Sequence, residues 1–134
     1  MIQNICEALG KSGCYFLSIL HLAEKITGGD IDPINAYVEC IAAGFMDAEC
    51  YITYPGRILE RYTGTMYEVS KASADAKPLP GEFEILRFER KEPGTTLAHF
   101  VVGDGAGRVE WDPYQNSKTV REGSLVSKRI FGKV

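Results

Sequence analysis

Histidine is scarce in this 134-residue chain: His21 and His99 are the only two, and no C-x-x-C pair stands beside either. A structural zinc site needs four nitrogen or sulfur ligands at short spacings, so the sequence predicts no metal, and nothing in it asks for a cofactor. No apolar run approaches the ~20 residues that a membrane-spanning helix requires, which excludes a membrane partner of that kind. The first residues, Met1 to Glu7, lack the basic start, apolar middle and small-residue cleavage site of a secretory signal, and the expectation is a cytoplasmic protein. A basic field is missing too: 15 Lys and Arg against 18 Asp and Glu give a net charge of −3 with signs interspersed, so no nucleic acid is expected as a partner. The four cysteines, Cys6, Cys14, Cys40 and Cys50, are even in number, but without an export signal they read as reduced thiols rather than two disulfides.

What is present suits one core. A chain of this length buries roughly two-thirds of its unfolded surface without disulfide or metal help, and no repeat, linker or low-complexity tract divides it, so residues 1–134 are expected to form a single domain. The spacing of Phe16, Leu17, Leu20, Ala23 and Ile26 predicts a helix from about Cys14 to Ile26, stopped by Gly28-Gly29. A second helix starts after Asp30 or Asp32 with Pro33 at its first position and runs to about Ala43, and a third, short one covers Pro55 to Tyr62 before Gly64. The pattern then changes to period two, predicting strands over Met66–Val69, Phe83–Phe88, Leu97–Val102, Arg108–Trp111 and Val126–Phe131. Helices followed by strands make an α+β domain with an antiparallel sheet packed on the N-terminal helices.

The segment Lys11-Ser12-Gly13-Cys14-Tyr15-Phe16 delivers a cysteine to the start of the long apolar helix. There a thiol meets unpaired backbone N–H groups and the positive end of the helix dipole, which favour thiolate and would lower its pKa, and the same N–H groups can hold an oxyanion. A thiol nucleophile needs a proton partner, and histidine suits that work near neutral pH. His21 lies two turns along the same helix, about 10 Å away by helical rise, and reads as helix surface. His99 remains, at the head of the predicted buried central strand His99-Phe100-Val101-Val102. If the following turn centres on Gly105-Ala106, Asp112 returns to a position opposite His99, within reach of the second ring nitrogen.

Other residues draw plainer readings. Cys6, Cys40 and Cys50 read as small core side chains, and Trp111 and Tyr114 as core or rim aromatics. Glu82, Glu84, Glu89 and Glu92 alternate along or flank a strand and read as its solvated face. The Gly103-Asp104-Gly105-Ala106-Gly107 run joins strand to strand with no helix to receive a phosphate, which excludes a nucleotide loop.

Gly13-Cys14 at a helix start, the strand His99 to Val102, the glycine hairpin Gly103 to Gly107 and Asp112-Pro113 together resemble the papain-like cysteine peptidases of the bacteriocin-processing type. The resemblance covers both ends of the chain and is thin between Ile31 and Leu97. It implies a papain-like fold, with Cys14 as nucleophile, His99 as general base and acid, and Asp112 as the group that orients it. That family places an oxyanion-hole glutamine about six residues before the cysteine; here Ala8 stands there, leaving Gln3 or Asn4 as the candidates. Two functions stay open: a cysteine peptidase or amidase acting on a peptide or protein substrate, and a catalytically silent papain-like module, on a plasmid or phage, used for binding or assembly. A third, a redox-sensing thiol, would need a resolving cysteine near Cys14, and only Cys6 is close in sequence.

Overall fold

The computed structural model describes residues 2–134. Helix α1 (Ile2–Ser12) was not expected from the sequence; it is held by Ile5 and Leu9, which are buried one turn apart. Helix α2 (Cys14–Thr27) buries Phe16, Ile19, Leu20, Leu22 and Ala23 and closes on Gly28 at φ 76°. Helix α3 (Pro33–Ala42) has Pro33 in its first turn and is capped by Asp32, whose carboxylate accepts from Ile34 N–H at 3.0 Å. Helix α4 (Pro55–Thr63) buries Ile58 and Leu59 and ends on Gly64 at φ 77°.

Five strands follow: β1 (Tyr67–Ser73), β2 (Phe83–Glu92), β3 (Thr95–Gly103), β4 (Val109–Trp111) and β5 (Ser124–Lys133), with a short helix α5 (Lys118–Glu122) between the last two. They form one antiparallel sheet in the order β1-β5-β2-β3-β4, so the domain is α+β as expected. Most of the strands run longer than the period-two pattern predicts, because ladder hydrogen bonds continue past the last apolar residue. Val69, Phe83, Ile85, Phe100 and Phe131 lie on the face that packs against the helices, in one core with Phe16, Ile19, Leu22 and Ile58.

Strand alternation puts Glu84, Leu86, His99, Val101 and Lys128 on the other face. Glu84 is therefore not part of a solvated face. It is 1% exposed, pairs with the equally buried Lys128 at 2.8 Å, and accepts the N–H groups of Gly105 and Gly107 at 2.9 Å each. Alternation alone tells which face a side chain takes, not whether a loop covers that face; here the glycine hairpin folds back onto it.

Three further expectations shift. β3 is the strand next to the edge of the sheet rather than central, and its pairing with β4 is limited to Val102 with Trp111 and Gly103 with Val109, with a register shift between them. Asp112 thus leaves the ladder two residues out of step with His99, and only its side chain bridges the offset. Cys6 is exposed on α1, whereas Cys40 and Cys50 are buried as expected.

Candidate active site

The site begins with a sharp joint between α1 and α2. Gly13 packs so tightly on the preceding helix that a Cβ there would sit 2.5 Å from the Leu9 carbonyl oxygen, and its own N–H donates to that oxygen at 3.2 Å. Only glycine fits, and the joint aims the first residue of α2, Cys14, at the edge of β3. No side chain caps α2, so its first N–H groups stay available. Ser18, one turn below Cys14, donates to the Phe100 carbonyl at 3.3 Å, and Tyr15 stacks on the Phe100 ring at 4.4 Å. The free stretch of β3 beyond the short β4 is thereby docked against the start of α2.

His99 comes from that stretch. Its Nε2 lies 2.7 Å from Asp112 Oδ1, with side chains 4% and 7% exposed. Asp112 also accepts Tyr114 N–H at 2.9 Å and Ser117 N–H at 3.0 Å, so the turn that begins at Asp112-Pro113 is wound around this carboxylate. Burial by itself would raise its pKa, but the Ser117 N–H, the imidazole and the Tyr114 N–H outweigh it and hold the carboxyl below its ordinary range. The Tyr114 ring stacks on the imidazole at 4.7 Å. With Nε2 committed to Asp112, Nδ1 is the ring nitrogen without a protein partner among the described residues.

Cys14 is 8% exposed. Its pKa is raised rather than lowered, which corrects the expectation from its helix position: loss of water outweighs the N–H groups of Phe100, Tyr15 and Cys14 that face the sulfur, and the Asp112 carboxylate pushes the same way as burial. The thiol and the imidazole are not hydrogen-bonded in this conformation. Cys14 therefore rests as a neutral thiol, and Asp112 orients the His99 ring.

Gln3 and Asn4 are exposed in the first turn of α1. The chain from them to Ser12 is helix, not a loop, and by helical rise Asn4 stands about 12 Å from the end of α1. Tyr114 is the residue that sequence reasoning passed over: its hydroxyl donates to the Leu9 carbonyl at 3.2 Å and is faced by the N–H groups of Gly13 and Cys14, with burial raising its pKa to about 12. His21 is half-buried rather than mere surface, stacked on Trp111 at 4.1 Å.

Beside Cys14 opens a cleft of about 530 Å³. Its walls include Tyr15 and Phe100, the loop residues Cys50, Tyr51 and Ile52, and Lys71, Arg87 and Arg129 from the sheet. The loop is built by Asp47, whose carboxylate accepts the N–H groups of Glu49 and Tyr51, and it carries Cys50 at φ 63° into the cleft. Among the described residues no cluster of His, Cys, Asp and Glu could hold a metal ion, and no helix is long and apolar enough to cross a membrane. No curated protein and no solved structure matches the chain. A family model described as "Protein of unknown function, DUF261" does match, over residues 2–133, and the chain accordingly belongs to that family.

Proposed function

We propose that the protein is a papain-like thiol hydrolase that cleaves a peptide or other amide bond through Cys14, His99 and Asp112. The observation that supports this best is the buried His99–Asp112 pair at 2.7 Å, next in the chain to Phe100, whose backbone meets Ser18 and the Cys14 sulfur at the start of α2. Nucleophile, base and orienting carboxylate follow in that chain order, and Asp112 fixes one ring nitrogen so that the other serves the thiol.

In the reaction, Cys14 Sγ adds to the substrate carbonyl as its proton passes to His99. Because the resting thiol is neutral, His99 acts as a general base during attack rather than as the partner of a standing thiolate. The oxyanion meets the uncapped N–H of Cys14, and the Tyr114 hydroxyl, turning its one O–H from the Leu9 carbonyl to the oxyanion, takes the role that glutamine has in the resembled family. His99 gives its proton to the leaving amine as the C–N bond breaks. Water, losing a proton to His99, then cleaves the thioester and restores the thiol.

A second reading, a silent module of the same fold used for binding or assembly, draws on the raised pKa of Cys14 and its missing contact with His99. p-Nitrophenyl acetate separates the two. For the hydrolase we expect a burst of nitrophenolate with one acetyl group on Cys14, slow turnover afterwards, and no burst in Cys14→Ala or His99→Ala. Acetylation scattered over lysines, equal in the variants, would leave the silent module.

A further inference from the structure

The chain is acidic overall, yet the cleft beside Cys14 is lined by three cations, Lys71, Arg87 and Arg129, and by no Asp or Glu. They come from three different strands, brought together by register: Lys71 pairs with Arg129 across β1 and β5, Arg129 with Ile85 on β2, and Arg87 with Phe100 on β3. All lie on the helix-facing side of the sheet, which they share with its apolar residues and with Glu89 and Ser127. Arg129 and Arg87 stand over the Phe100 ring at 5.5 and 5.9 Å, so that one aromatic side chain, itself stacked on Tyr15, orders both guanidinium groups.

Their charge is only partly answered within the protein. Arg87 pairs with Glu89 on its own strand, but among the described residues Arg129 donates only to Ser127 Oγ and the Lys128 carbonyl, and Lys71 has no ion-pair partner. Like charges on neighbouring strands repel, and a half-enclosed cleft screens them less than open water does. Such a cluster gains from a counter-anion, and planar guanidinium groups match a carboxylate by paired N–H···O bonds.

We infer that this cleft selects substrates bearing a carboxylate close to the bond presented to Cys14, either an acidic side chain or the free C-terminus of a peptide; only the cleavage step rests on the thiol-hydrolase reading. Arg129 is the principal anion contact, with Lys71 and Arg87 setting the field around it. Tyr15 and Phe100 form an apolar wall for the neighbouring part of the chain.

Iodoacetate and iodoacetamide test this without a known substrate. With each, the Cys14 thiolate displaces iodide into solvent and forms an S–CH₂ bond, the thiol proton having been lost, but only iodoacetate carries a carboxylate. The ratio of their rates, located on Cys14 by peptide mass mapping, cancels the thiolate fraction. We expect that ratio to exceed the one for N-acetylcysteine by about tenfold at low salt, to shrink with added salt, and to fall several-fold in Arg129→Gln. A ratio equal to that of N-acetylcysteine, unchanged in Arg129→Gln and in Lys71→Gln, would overturn the inference.

The two readings fail separately. A raised ratio with both reagents slow and insensitive to His99→Ala keeps the carboxylate site and removes the hydrolase; fast, His99-dependent reaction at the free-thiol ratio does the reverse. Protection of Cys14 by N-acetylglutamate α-amide but not by N-acetylalanine assigns the acidic side chain as the source, and the opposite result assigns the C-terminal carboxylate.

Discussion

Two buried pairs of opposite charge character lie on the same face of the sheet, and they are built to different ends. Glu84 and Lys128 are tied into the fold on every side that is shown: the carboxylate takes the ammonium and two hairpin N–H groups, and the ammonium also donates to the Ala76 carbonyl. His99 and Asp112 are nearly as buried, but one imidazole nitrogen is left over, and it belongs to the strand that α2 docks against. A closed network locks a hairpin. The proposed function gives the unused nitrogen its use, taking the proton of Cys14.

The sharpest way to break the comparison is to halve the closed pair. Lys128→Met leaves an uncompensated carboxylate that is fully buried, and urea unfolding is expected to show a loss of about 3–5 kcal/mol. Glu84→Gln with Lys128→Met should recover much of that loss, because no net charge then stays buried. A single variant as stable as wild type would mean that water reaches the pair.

Halving the open pair should cost less stability and more chemistry. Asp112→Asn keeps one acceptor for the Tyr114 and Ser117 N–H groups and the imidazole, so about 1–3 kcal/mol of stability is expected to go. It should also abolish the acetyl burst on Cys14, through the wrong histidine tautomer. The pH dependence sharpens this. Because the folded carboxyl titrates below the ordinary value of ~3.9, its stabilisation is complete above that value and is lost as pH falls through the folded pKa. Urea midpoints at pH 5 and pH 3 should therefore separate more in wild type than in Asp112→Asn.

Tyr114→Phe is expected to cost about 1 kcal/mol, the worth of its hydrogen bond to Leu9, while slowing acylation of Cys14 by about 10² if the hydroxyl meets the oxyanion. Loss of stability with an unchanged burst would reduce Tyr114 to a packing residue. Arg129→Gln, the smallest effect, should change stability by no more than about 0.5 kcal/mol, since the guanidinium makes no ion pair among the described residues for the fold to lose. A larger loss in thermal unfolding would make that cation part of the core.

The helices α2 to α4 and the strands were legible because their signals are local: Pro33 and Pro55 at helix starts, Gly28 and Gly64 at helix ends, and alternation along each strand. Cys14, His99 and Asp112 were legible as types in order, the histidine by elimination of its only rival. What escaped depends on contacts between distant segments. α1 offers little beyond Ile5 and Leu9 as a pattern, and gains its footing from the Gly13 joint. Glu84 takes its character from a hairpin that returns twenty residues later. The loop around Cys50 is shaped by one Asp47 carboxylate, which leaves no periodic trace. Lys71, Arg87 and Arg129 are scattered along the chain, and only strand register collects them into one cleft.

The most direct test of the central claim is the rate of Cys14 alkylation by iodoacetamide at pH 7, in the native protein and in His99→Ala, with the site assigned by peptide mass mapping. If His99 takes the proton from this buried neutral thiol, the rate on Cys14 falls by about tenfold or more in His99→Ala, while the exposed Cys6 reacts alike in both. Equal rates on Cys14 in the two proteins, with the slow neutral-pH reaction of an ordinary or raised-pKa thiol, would contradict the claim and leave His99 and Asp112 as a second structural pair.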